Sequence, residues 1–168
     1  IAGGITSVFE MPNTNPPTSN KKEFQRKLDL AKNRMYCNYA FYFGATAENA
    51  DDLASLKDLE GCCGIKLFAG SSTGNLLVAE EDDIDKVFQN ASKVVAVHSE
   101  DEAILEVNKK LIKQGDVHTH PIWRSVECAI SSTRRIVRIA EKYNKKAHVL
   151  HITTKEEIDF LSQHKGNI

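Results

Sequence analysis

A chain of 168 residues with 41% hydrophobic content is long enough for one domain and is composed like an ordinary water-soluble one. Its 22 basic and 23 acidic residues leave a net charge of −1, which argues against nucleic acid or a membrane surface as a main partner. No apolar run approaches the roughly 20 residues of a membrane span, and no secretion-signal pattern opens the chain. Cys37, Cys62, Cys63 and Cys128 lack disulfide or zinc-finger spacing, so they read as free thiols and place the protein in the cytoplasm.

Five apolar, β-rich runs alternate with helical patterns: ITSVFEM (5–11), CNYAFYF (37–43), CGIKLF (63–68), KVVAVH (93–98) and AHVLHI (147–152). Between the first two, Asn20 and Glu23 form a capping pair, and Phe24, Leu28, Ala31 and Met35 make one apolar face. Leu53, Leu56 and Leu59 follow the second run at helical spacing, and Ile84, Val87, Phe88 and Ala91 follow the third. The fourth gap holds two helical candidates, at about 100–114 and 125–143. The last helix opens on a capping box, Thr154 with Glu157, and is expected to bury Ile158 and Leu161.

The strand starts lie 32, 26, 30 and 54 residues apart. A (β/α)₈ barrel of roughly 250 residues gives each unit about 31, so three gaps fit one unit and the fourth fits a unit with an inserted helix. A doubly wound sheet fits the alternation almost as well, but no G-x-G-x-x-G follows the first strand. Asn13, Lys66, His98 and His151 all fall at or just after the carboxyl ends of their strands, where barrel enzymes place their chemistry. The predicted fold class is therefore α/β, a partial (β/α)₈ TIM-type barrel of about five units, with residues 1–168 as a segment of one barrel domain.

Lys66 sits inside the apolar run GIKLF, where an ammonium without a partner is expensive. Three readings are open for it: a carbamate formed by adding carbon dioxide to the neutral amine, a Schiff-base nucleophile, or an ion pair with a nearby carboxylate. His98 and His151 at two strand ends suit a zinc-like ion, and a carboxylated Lys66 would supply a third ligand. Either histidine taken alone is more commonly a hydrogen-bonded structural residue. GSSTGN (70–75) lacks the Gly-Lys-Ser/Thr ending of a phosphate cradle and reads as a pocket-lining loop. His118-Thr119-His120 has no apolar strand before it and reads as a loop feature, not a metal motif. Arg134, Arg135 and Arg138 read as a solvated helix face, and Arg124 could reach the barrel mouth but has nothing to fix it there.

GGITSVFEMPNTNPP (3–17) resembles the GG-x-T-x-x-x-x-MPNT-x-P segment of dihydroorotases, in the amidohydrolase superfamily. GIKLFAGSSTGNLLV resembles the strand whose lysine is carboxylated in many cyclic amidohydrolases, and VHSEDE and HVLHITT resemble the next two strands, each with one metal-binding histidine. The resemblance implies strands two to six of such a barrel, with Lys66 carboxylated and bridging two zinc ions. It gives His98 and His151 to the second metal and Asn13 to the substrate carboxylate. The implied reaction is reversible interconversion of L-dihydroorotate and N-carbamoyl-L-aspartate, in pyrimidine synthesis. The family's His-x-His and Arg lie on an earlier strand and its general-base Asp on a later one, so the segment by itself is expected to be inactive. Hydantoinases, dihydropyrimidinases and allantoinases share most of these motifs; MPNT with Asn13 favours dihydroorotase. A noncatalytic assembly homologue and a Schiff-base enzyme using Lys66 also fit the pattern. The expected partners are a small-molecule substrate and, through open strand edges, other copies of the chain.

Overall fold

In the computed structural model, described for all residues but Thr73, Gly74, Lys165 and Asn167, five parallel strands form one sheet: β1 (Ser7–Glu10), β2 (Asn38–Gly44), β3 (Cys62–Phe68), β4 (Val95–His98) and β5 (Ala147–Val149). The strand order is β1-β2-β3-β4-β5, so every strand pairs with its neighbour in sequence. A doubly wound sheet reverses order at a switch point, whereas a barrel adds each strand beside the last. The spatial order therefore decides between two folds that strand spacing left nearly level, in favour of an α/β barrel segment.

Burial supports the same conclusion. Phe41, Phe43, Ile65, Leu67, Val95, Val97, Ala147 and Val149 alternate along their strands and join helix residues in a single core. Alternation places them on one face of the sheet, the face covered by helices. Lys66 and Phe68 fall on the opposite face, which in a barrel is the interior.

The helices end where local chemistry directs. Helix α1 (Lys21–Ala31) starts at Asn20, whose side chain accepts from the Glu23 amide, and buries Phe24 and Ala31. Beyond it Asn33 takes a left-handed conformation, with φ 60°, so Met35 lies outside the helix and is largely exposed, contrary to the expected apolar face. The leucines at 53 and 56 belong to a 3₁₀ helix (Ala50–Leu56), whose period of three residues matches their spacing and brings both fully into the core. Asn49 pins the start of that segment, donating to the Ser19 and Gly44 carbonyls and accepting from the Thr46 amide.

Helix α2 (Glu81–Asn90) buries Ile84, Val87 and Phe88 as its spacing predicts. The candidate at 100–114 is shorter than expected. It consists of α3 (Glu102–Asn108), capped by Asp101, followed by a 3₁₀ turn over Lys109–Leu111. Helix α4 (His120–Trp123) is short. Helix α5 (Val126–Lys142) is the longest, capped by Ser125 and followed by Asn144 at φ 50°. Helix α6 (Lys155–Leu161) opens on Thr154 as read from sequence, but its buried first-turn residue is Glu157, while Ile158 is 57% exposed. Leu161 packs against the core as expected. No helix is long and apolar enough to cross a membrane among the described residues.

Candidate functional site

Lys66 lies two positions before the end of β3, paired in register with Gly44 and Ala96, and is 1% exposed. Its amine donates to the Leu67 carbonyl at 2.7 Å and stands 3.6 Å above the centre of the Phe68 ring. Both contacts favour a cation, but one carbonyl and one ring face replace only part of a lost hydration shell. Burial wins and lowers the Lys66 pKa to about 7, so a neutral, nucleophilic amine is abundant near neutral pH. No carboxylate forms an ion pair with it among the described residues, which removes the simplest of the three sequence readings.

The register of β3 and β4 places Phe68 beside His98, at the carboxyl end of β4. His151 follows β5 in a left-handed conformation, φ 56°, and brings its ring to 5.4 Å from that of His98, centroid to centroid. Burial, then His98, then Lys66 lower the His151 pKa, with Glu100 opposing, so the neutral, ligating form is favoured. His98 meets the Glu100 carboxylate through Nε2 at 2.6 Å, which leaves Nδ1 as its nitrogen for another partner. Asn13 lies three residues beyond β1 and is exposed.

Two residues that sequence reading left out or unplaced complete this end of the sheet. Arg124 donates through Nη1 to Glu100 at 2.8 Å and through Nη2 to the Ser71 hydroxyl, with its guanidinium 4.9 Å from the centre of the Trp123 ring. Arg124 is therefore fixed at the mouth, and Glu100 joins it to His98. The HSE triplet was the only signal for Glu100, two residues from His98 and on the same side of an extended segment. Gly70 makes the contact between the loops possible, because a Cβ there would stand 2.5 Å from the Glu100 carbonyl oxygen.

His98, Glu100, Arg124, His151 and Glu157 line one cavity of about 410 Å³, and His120 reaches it from α4. His118 and His120 lie on a 3₁₀ turn and the start of α4, not in an open loop as expected from sequence. Arg135 also departs from expectation. Its Nη1 donates to the Ala79 carbonyl and its Nε and Nη2 are buried, because α5 lays this side chain against the segment before α2; Arg134 and Arg138 do face outward. In the GSSTGN loop Ser71 faces Arg124, while Thr73 and Gly74 lie outside the described residues.

The donors fit part of a metal shell. Two imidazoles and one amine able to carry a carboxylate suit a borderline divalent ion. No cluster of three or more His, Cys, Asp or Glu side chains able to hold a metal occurs among the described residues, so any third ligand on them has to come from elsewhere, such as a modified Lys66.

No family model matches the chain. It is 30% identical over 168 residues to a dihydroorotase of Methanosarcina mazei, across 98% of this chain and 36% of the relative. It is 26% identical over 168 residues to an L-hydantoinase of Paenarthrobacter aurescens, across 96% of this chain and 36% of that one. Among solved structures, the L-hydantoinase (dihydropyrimidinase) from Arthrobacter aurescens superposes with a TM-score of 0.87 at 25% identity, over 96% of this chain and 37% of that structure. The chain thus spans little more than a third of the proteins it matches. With its parallel sheet in barrel order and its likeness to these proteins over nearly its whole length, the chain is similar to dihydroorotases and hydantoinases of the amidohydrolase superfamily and matches little more than a third of each.

Proposed function

We propose that these residues carry part of the catalytic centre of a dihydroorotase, acting on L-dihydroorotate and N-carbamoyl-L-aspartate in the cytoplasm, with zinc as the metal. The observation that carries the reading is the fully buried Lys66 on the same sheet end as the facing pair His98 and His151. Asn13 in MPNT, proposed to meet the substrate carboxylate, favours dihydroorotase, as does the 30% identity to a dihydroorotase.

Lys66 in its carboxylated form, His98 and His151 would hold the metal, which when bound supplies Lewis-acid polarisation of a carbonyl and a lowered pKa for water. The remaining residues prepare that site. Phe68 covers the Lys66 amine and keeps it short of water, which holds it neutral enough to add carbon dioxide with loss of one proton. Glu100 holds the His98 ring through Nε2 and so sets its orientation, while Arg124 balances the carboxylate charge. On this reading the 168 residues hold only part of the shell and no general base. The isolated chain has negligible hydrolytic activity, and its β1 edge promotes self-association.

The test is zinc content after purification with zinc and bicarbonate, for the chain and for Lys66→Ala, together with hydrolysis of dihydroorotate. Bound zinc that is lost in Lys66→Ala supports the site. Zinc retained by Lys66→Ala removes the carbamate, and measurable turnover by the isolated chain removes the proposed inactivity. A hydantoinase is the second reading, favoured by the superposition with the Arthrobacter enzyme. Activity of the complete protein on hydantoin in place of dihydroorotate would put it first.

A further inference from the structure

Glu157 is 3% exposed, and no Lys, Arg or His forms an ion pair with it among the described residues. A buried carboxylate is costly, and hydroxyl partners offset that cost only in part. Its partners are ordered along a line. Thr154 donates to Oε2 at 2.8 Å and Thr133 donates to Oε1 at 2.8 Å. The Thr133 hydroxyl in turn lies 3.1 Å from the hydroxyl of Ser99, which also donates to Ser132 at 3.0 Å. Ser99, Ser132 and Thr133 are all buried. Since the Thr133 proton goes to Glu157, the Ser99 proton is shared between the two α5 hydroxyls.

That line joins the two segments that carry the histidines. Ser99 is bonded to His98, and Thr154 is three residues after His151. Between them the sheet offers little restraint, because β5 stops at Val149 and the last ladder-type contact is the Leu150 amide donating to Val97. His151 nevertheless holds a left-handed backbone, which is unfavourable for a non-glycine residue and persists only where its surroundings enforce it.

We propose that Glu157 is the positioning residue of this site. By tying Thr154 to Thr133, and through Thr133 to Ser99, it holds the His151 segment against the end of β4 and fixes the two tilted imidazoles beside each other. The role in a metal centre rests on the reading above, but the positioning itself does not need the metal.

The experiment is NMR of the imidazole carbon-bound protons in the metal-free chain. Wild type is expected to show a cross-peak between His98 and His151 that Glu157→Ala loses and Glu157→Gln, which keeps shape and one acceptor, retains. Thr133→Val preserves the carboxylate and the volume and is expected to weaken the cross-peak; it decides the question if Glu157→Ala does not fold. Leu161→Ala, on the same helix with a comparable loss of Tm, is expected to keep it. The proposal is overturned by a cross-peak that survives in Glu157→Ala, by one lost equally in Leu161→Ala, or by none in wild type. A Co²⁺ titration separates the two ideas. If the cross-peak behaves as expected and Co²⁺ shifts the signals of neither His98 nor His151, the two rings do not ligate metal in this chain and the positioning role stands.

Discussion

His98 and His151 face each other across the junction of β4 and β5, with ring centroids 5.4 Å apart and planes inclined by 59°. Neither strand alone creates this relationship. It arises because consecutive strands are neighbours in the sheet, so their carboxyl ends deliver both rings to one place. Burial first, and His98 second, hold His151 below its ordinary pKa. The expected result of an NMR titration is a His151 midpoint below 6.5, moving upward in His98→Ala as the second cause of the shift disappears. A folded state that resists protonation loses stability as pH falls through the ordinary histidine value toward the lowered one. A His151 midpoint that ignores His98→Ala would separate the two rings.

Lys66 makes a second pH-dependent contribution, of larger size. Its folded pKa of about 7 lies below the ordinary lysine value of 10.5, so the unfolded chain binds the proton more tightly between those values. Stability from this group is therefore highest above pH 10.5 and is lost as pH falls toward 7. In buffer free of bicarbonate, Lys66→Met should raise stability at about pH 7 by roughly 2–4 kcal/mol and by much less at about pH 10. Urea denaturation at the two pH values measures this. An equal effect at both would mean that Lys66 is not buried as a base.

Arg124 joins the loop after β3 to the segment after β4 through Ser71 and Glu100. The planar fork is suited to holding both at once, and a lysine point charge is not. Arg124→Lys should cost about 1–2 kcal/mol by denaturant unfolding, close to the cost of Arg124→Ala. Gly70→Ala attacks the same junction by overpacking against the Glu100 carbonyl and should cost about 1–3 kcal/mol. Full rescue by lysine would reduce Arg124 to a simple counter-charge.

Strand β1 is one of the two edge strands of the sheet, with β5 at the other side. All four of its residues are exposed, Phe9 at 60%, beside an apolar groove of about 660 Å³ that reaches Met35 and Tyr39. Unpaired edges with apolar side chains pair with other chains, and lysine blocks this. Phe9→Lys should shift size-exclusion profiles toward monomer at concentrations where the native chain associates. A native chain that is monomeric throughout would remove the proposed self-association.

Much of the architecture is legible in the linear chain because it rests on local rules. Five strand runs, the Asn20 and Thr154 caps and the α2 apolar face all follow from periodicity and capping chemistry. Errors arose where tertiary context overrides those rules. Ile158 continues a helical apolar pattern, yet the helix turns Glu157 inward, because Thr133 from a different helix supplies a hydroxyl for it. Arg135 reads as solvated, yet packing of α5 against the segment before α2 buries two of its nitrogens.

The same division holds at the site. Lysine in an apolar run and histidines at strand ends are visible in sequence, since a strand's two faces and its carboxyl end are local properties. That Glu100 and Ser71 both meet Arg124, and that Thr133 meets Glu157, depend on contacts spanning 24 to 53 residues of sequence. Such contacts are set by strand order and loop packing, for which a single chain carries no local signal. Residue types and their periodicity determined the elements and the candidate chemistry; only the folded sheet decided which of those groups meet.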